Sequence, residues 1–256
     1  MTIRTLVARG LLVGLLAGLI AGVFAFLVGE PHVESAIALE EASAAAPEGT
    51  AAHDHDHGGA AGHAHGDEAV VSRPVQKAGL FLATGLYGLA VGGIFALVYA
   101  GLRGRVGPRN DGLLAIVAAA TAFLAIVLVP FVKYPANPPA VGNPDTINER
   151  TLLYVAMVLV GLAATAVAVG TARRTGPDPW RRWTAAVAAF LVPVVAAWLL
   201  LPPVDEVPEG FPATLLWDFR LASLGTQLVF WSAFGVLFGL LTERGTRRAA
   251  APAPAG

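Results

Sequence analysis

Five of the six histidines fall in one short tract, His53-Asp54-His55-Asp56-His57 followed by His63 and His65. Imidazole nitrogens alternating with carboxylate oxygens form a donor set for borderline divalent ions such as Co²⁺, Ni²⁺, Cu²⁺ or Zn²⁺. The spacing is irregular and glycine-rich. It therefore fits a loose, multi-site metal trap better than one rigid tetrahedral zinc site. Because only neutral imidazole ligates, such a trap works near pH 7 and fails as the histidines protonate near pH 6. The competing reading is a drifting linker that binds metal incidentally.

A second group of residues bears oxygen. Glu30, Asp205, Glu206, Glu209 and Asp218, with Asn137 as a neutral ligand, form a candidate cation-attracting rim. Ser223, Thr226 and Gln227 put further oxygens on one helical turn. The plainer account of this region is an interfacial belt around Tyr134 and Trp217. In that account Asp218 sits in the first turn of a helix and pairs with Arg220.

Several chemistries are absent from the sequence. There is no cysteine, hence no thiolate ligand, and only two methionines, Met1 and Met157. No phosphate-binding Walker sequence, nucleophile elbow or HExxH occurs. With no catalytic group inside its apolar spans, the chain does not read as an enzyme. A net charge of −1 leaves no basic field for nucleic acid.

The elements that must position these residues are membrane helices. The chain is 55% hydrophobic and 14% charged, against about 25% charged in soluble domains. Its mean hydropathy is +0.64. Six apolar stretches, 11–28, 79–101, 112–132, 152–172, 184–201 and 221–241, contain no Asp, Glu, Lys, Arg or His. About 20 such residues cross a bilayer. The connections that share a side with the N-terminus carry 12 of the 17 Lys and Arg, so the positive-inside rule puts both termini in the cytoplasm. A cleaved signal peptide is the rival reading of the N-terminus, but its apolar core is too long and the Ala44-Ala45-Ala46 site lies too far beyond it.

The predicted fold is thus an all-α integral membrane protein of about six helices. Residues 1–28 form the first span, and 29–78 an outer loop whose 43–67 stretch, carrying the His/Asp tract, is expected to be disordered without metal. Residues 79–241 form a five-helix bundle, and 242–256 a disordered cytoplasmic tail. Residues 30–41 are expected to make a short amphipathic helix. The proline-rich connections after the third and fifth spans are expected to be stiff. Gly10, Gly14, Gly18 and Gly22 make a close-packing ridge, with Gly235 and Gly239 as its counterpart. Pro130 and Pro193 are expected to free the carbonyls of Ile126 and Ala189. A faint echo between spans two and three and spans four and five raises the question of a parallel repeat.

The pattern resembles the CbtA-type cobalt transporter subunits. The resemblance lies in Glu30-Pro31 after the glycine-rich first helix, Ala36-Ile37-Ala38-Leu39-Glu40, and the stretch from Val129 to Gly142 that contains Lys133-Tyr134-Pro135-Ala136-Asn137-Pro138-Pro139. It continues in Thr151-Leu152-Leu153-Tyr154 and in Trp217-Asp218-Phe219-Arg220 followed by Ser223-Leu224. The His tract lies outside it. The resemblance implies a bacterial inner-membrane subunit for uptake of Co²⁺ (alternatively Ni²⁺ or Zn²⁺), surrounded by membrane lipid and working with a small single-helix CbtB-type partner. No cofactor is implied beyond the ion itself. The alternatives are a non-transporting metal-binding or sensing subunit and a structural membrane subunit.

Overall fold

A computed structural model describes residues 2–45 and 72–250. The His/Asp tract lies outside the described residues. Among those described there is no strand. Helix α1 (Ile3–Phe24) runs through a π-helical turn (Ala25–Gly29) directly into α2 (Glu30–Ala45). Helix α3 spans Arg73–Leu102. Helix α4 (Asp111–Phe123) passes through a second π turn (Leu124–Leu128) into the short α5 (Val129–Lys133). A 3₁₀ turn (Pro144–Thr146) leads to α6 (Ile147–Arg174), followed by α7 (Pro179–Leu200) and α8 (Ala213–Ala250). Among the described residues six helical stretches are long and apolar enough to cross a membrane.

The start of α1 and the end of α8 lie at one end of the bundle, where an Arg9 guanidinium nitrogen donates to the Leu241 carbonyl at 2.9 Å. We call this the terminal face. The opposite loop face carries the two proline-rich connections. Polar caps set several helix starts: Asn110 Oδ1 accepts from the Leu113 amide at 2.7 Å, and Asp178 Oδ1 from the Trp180 amide at 3.0 Å.

The two π turns share a cause. Each ends two residues before a proline, Pro31 in one case and Pro130 in the other. Proline has no N–H for the carbonyl four residues back and its ring crowds that carbonyl. The preceding turn widens, and the Glu30 amide bonds to Ala25 O while the Val129 amide bonds to Leu124 O. The Leu27 and Ile126 carbonyls lose their ordinary donors, and the Tyr154 hydroxyl lies 3.5 Å from Ile126 O. Pro193 differs from this pair, since it sits inside an unbroken α7.

Because the π turn absorbs Pro31, the first helix does not stop near Val28. It continues through an Ala-, Glu- and Leu-containing stretch of good helix formers. Of that stretch only Ala36 is fully buried. At the other end, α8 starts eight residues before 221 and runs on through 250.

The glycine ridge of α1 packs against α3, not α8. A Cβ added at Gly14 would lie 2.0 Å from Gly88 O, and one at Gly10 2.3 Å from Gly92 O. Gly235 and Gly239 instead face Ala119 and Gly112 of α4. Helix α1 thus lies between α3 and α8, α8 between α1 and α4, and α6 rests on the second π turn and α5. Helix α7 leans mainly on α6. The centre is aromatic: Phe95 and Tyr99 of α3 meet Phe230, Trp231, Phe234 and Phe238 of α8. The ring centroids of Phe95 and Phe234 are 4.8 Å apart, edge to face.

Candidate functional site

Ser223, Thr226 and Gln227 are spaced three and four apart, so α8 presents them on one face. That face meets the first π turn. A cavity of about 280 Å³ opens there, lined by Gly29, Glu30, Leu80, Phe219, Ser223, Thr226 and Gln227 among others. Four of the residues proposed from sequence for an ion path, Glu30, Ser223, Thr226 and Gln227, therefore share one cavity. The π turn decides this placement by setting the azimuth at which Glu30 leaves the helix.

The polar groups of the cavity are partly engaged. The Thr226 hydroxyl donates to the Ala222 carbonyl at 2.9 Å, and its lone pairs remain available. The Tyr87 hydroxyl donates to Gln227 Oε1 at 3.3 Å. Glu30 forms an ion pair with Arg73 of α3, and its side chain is only 14% exposed. One turn further on, Glu34 pairs with Lys77. This ladder holds α2 against the start of α3.

Beneath the cavity α8 turns aromatic. Phe230, Phe234 and Phe238 are each 1% exposed or less and close the space between α3 and α8. Nearer the terminal face Asp111 gathers a polar node. Arg103 forks onto its two carboxylate oxygens, the Thr246 hydroxyl donates to Oδ2 at 2.6 Å, and the Tyr99 hydroxyl donates to the Asp111 carbonyl at 2.8 Å. Glu243 Oε2 accepts from the Gly112 amide at 3.2 Å. The bundle is thus open on its loop face and closed beneath.

The other residues of the expected rim do not join the cavity. Asn137 Oδ1 accepts from Arg220 at 2.9 Å, and the Ala136 carbonyl from Arg220 Nε at 3.3 Å. Arg220 therefore bonds to the proline-rich connection and not to Asp218, which is exposed. Asp218 is the sixth residue of α8, beyond its first turn. Asp205 is also exposed. Glu206 clasps the connection after α5: Oε1 accepts from the Thr146 hydroxyl at 2.6 Å, and Oε2 from the Asn143 amide at 2.8 Å. The Thr146 and Asn143 hydrogen bonds, with the nearby Arg150 charge, hold its carboxyl below the usual glutamate range.

The Lys133-Tyr134-Pro135-Ala136-Asn137 stretch is a three-way tie. Lys133 Nζ donates to Trp198 O of α7 and the Tyr134 hydroxyl to Pro202 O, each at 2.8 Å, while Ala136 and Asn137 accept from Arg220 of α8. The two most distinctive sequence motifs are hydrogen-bonded to each other. Among the described residues no group of three or more His, Asp or Glu is placed to hold a metal ion. Sequence reasoning missed the Arg73 partner of Glu30 and the Asp111 node, since neither pairing has a local signature.

Fold and site together define an all-helical, multi-pass membrane protein with, on one face, a mainly apolar cavity that carries a few polar groups, and with a closed aromatic centre. The chain belongs to the CbtA family, described as probable cobalt transporter subunits, whose profile matches residues 3–243. No curated protein and no solved structure shows significant similarity to it.

Proposed function

We propose that this chain is the membrane subunit of a bacterial inner-membrane system that takes up Co²⁺. Family membership supports cobalt as the cargo. The observation that carries a path through this chain is the loop-face cavity, where Glu30, Ser223, Thr226 and Gln227 converge. The positive-inside distribution of arginines makes the loop face the outer one.

In this reading the His53–His57 carboxylate-imidazole run, with His63 and His65, captures ions outside and raises their local concentration. The cavity receives them from that pool. The aromatic centre and the Asp111 node keep the inner side shut until the helices rearrange. Asn137, Asp205, Glu206 and Asp218 shape and charge the rim and do not ligate in sequence. A small single-helix CbtB-type subunit completes the system.

Cobalt accumulation in cells expressing this chain together with such a partner tests the reading. Raised cellular cobalt is expected, and unchanged accumulation overturns it. Deleting 51–66 should raise the concentration for half-maximal uptake more than it lowers the maximum rate. Complete loss of uptake at saturating metal would place the tract in the path itself.

A further inference from the structure

The ion pair between Glu30 and Arg73 joins a cavity-lining carboxylate to a guanidinium that does not line the cavity. Glu30 is the cavity's one carboxylate among the described residues, and it is largely withdrawn from water. The remaining polar lining is neutral: the Ser223 and Thr226 hydroxyls and the Gln227 amide. A purely structural ion pair needs no such setting. The pair between Glu34 and Lys77 one turn away ties the same two helices together at the surface.

We propose that the Glu30 carboxylate is the anionic ligand of a divalent-cation site in this cavity, and that Arg73 holds its place until an ion arrives. The inference rests on the transport reading above for its choice of cargo. The exchange leaves one net positive charge on the ion and Glu30 together, which keeps binding weak enough for release. A cation entering the cavity displaces the guanidinium from Glu30, and Arg73 swings to Glu34, whose carboxylate already lies 3.9 Å away. The ion takes one carboxylate and up to three neutral oxygens, with water completing its shell.

The chemistry of this donor set has a consequence for selectivity. Oxygen-only ligands hold Co²⁺ without preferring it strongly over Mn²⁺ or Mg²⁺. A conducting site must also release its ion. A single carboxylate shared with a competing guanidinium meets that requirement. Discrimination for cobalt then falls to the imidazole-bearing tract upstream.

The test is Co²⁺ titration of the purified full chain in detergent, in a background with His53, His55, His57, His63 and His65 replaced by Asn so that the tract contributes no signal. Glu30→Gln should abolish the cavity-dependent binding. Arg73→Gln should tighten it on the order of tenfold, because one charge-assisted hydrogen bond no longer has to be broken. Lys77→Gln, which frees Glu34 to receive Arg73, should tighten binding less than Arg73→Gln does. Equal or weaker binding in Arg73→Gln, with thermal stability no lower than that of Lys77→Gln, overturns the proposal. If Arg73→Gln fails to fold, Arg73→Lys gives the second reading: a shorter-reaching, single-point donor should still bind Co²⁺ more tightly than the arginine parent, and unchanged affinity overturns the proposal. Cobalt accumulation with the partner present separates this failure from that of the transport reading. Uptake by the parent that Glu30→Gln leaves intact sinks the site and spares the transporter.

Discussion

Gly14→Ala offers the sharpest test of the packing argument. The added methyl would lie 2.0 Å from Gly88 O and 2.8 Å from its carbonyl carbon, where ordinary contact begins at 3.4 Å. The obstruction is backbone, so no rotamer change relieves it. Helices α1 and α3 must separate by about 1.4 Å along that direction, given the 2.0 and 3.4 Å distances. Overpacking of this kind costs about 1–3 kcal/mol, and a rigid carbonyl puts it near the upper end. Alanine's better helix propensity returns about 1 kcal/mol. The net expectation is a loss of about 2 kcal/mol, close to thirtyfold in the folded-to-unfolded ratio. Gly170→Ala in α6 is the matched control, because a Cβ there meets nothing within 4 Å and only the propensity gain remains. Thermal unfolding of both variants in one detergent measures the difference. A Gly14→Ala protein as stable as Gly170→Ala would refute the close α1–α3 contact.

Three further outcomes follow from the same geometry. Pro31→Ala restores a donor for the Leu27 carbonyl and lets the π turn relax to α, rotating the α2 azimuth by about 100°, the angle of one helical residue. Stability should rise while cobalt accumulation falls, and no change in either would disconnect the π turn from the cavity. Asp111→Asn should cost about 2–3 kcal/mol, because the largely buried Arg103 is left without its charged partner. A double-mutant cycle with Arg103→Met should show coupling of about 1–3 kcal/mol, and additive effects would dismiss the node. For Glu206 the native pKa lies below its ordinary 4.5. Its contribution is therefore present above that pH and lost as pH falls through the lower native value. Protection of the Asn143 amide, taken relative to its intrinsic exchange rate at each pH, should fall across that window in the parent and be low throughout in Glu206→Gln. An identical pH profile in the two would remove the clasp.

Much of the fold was legible in the sequence, because a bilayer imposes its thickness on composition. Six uncharged stretches of membrane length became six membrane-length helices, and arginine placement at the ends follows the same physics. The glycine ridge was legible as a close contact, but its partner was not. Many helices carry small residues, and only packing selects Gly88 and Gly92 over Gly235 and Gly239. The helix expected over 30–41 is present as α2, and it continues the first span without a break because a π turn carries the backbone past Pro31. Glu30 then enters a cavity with residues of α8 nearly two hundred positions away.

The sequence by itself determined the class of protein, the number of spans and the polar residues available for an ion, since these depend on hydropathy and side-chain type. Only the tertiary structure decided which of those residues meet. Asn137 and Arg220 became a structural tie, Glu206 became a clasp on its neighbouring loop, and Glu30 gained both a cavity and a competing arginine. Those outcomes depend on helix azimuth and neighbour choice, and both arise from backbone contacts between segments far apart in the chain.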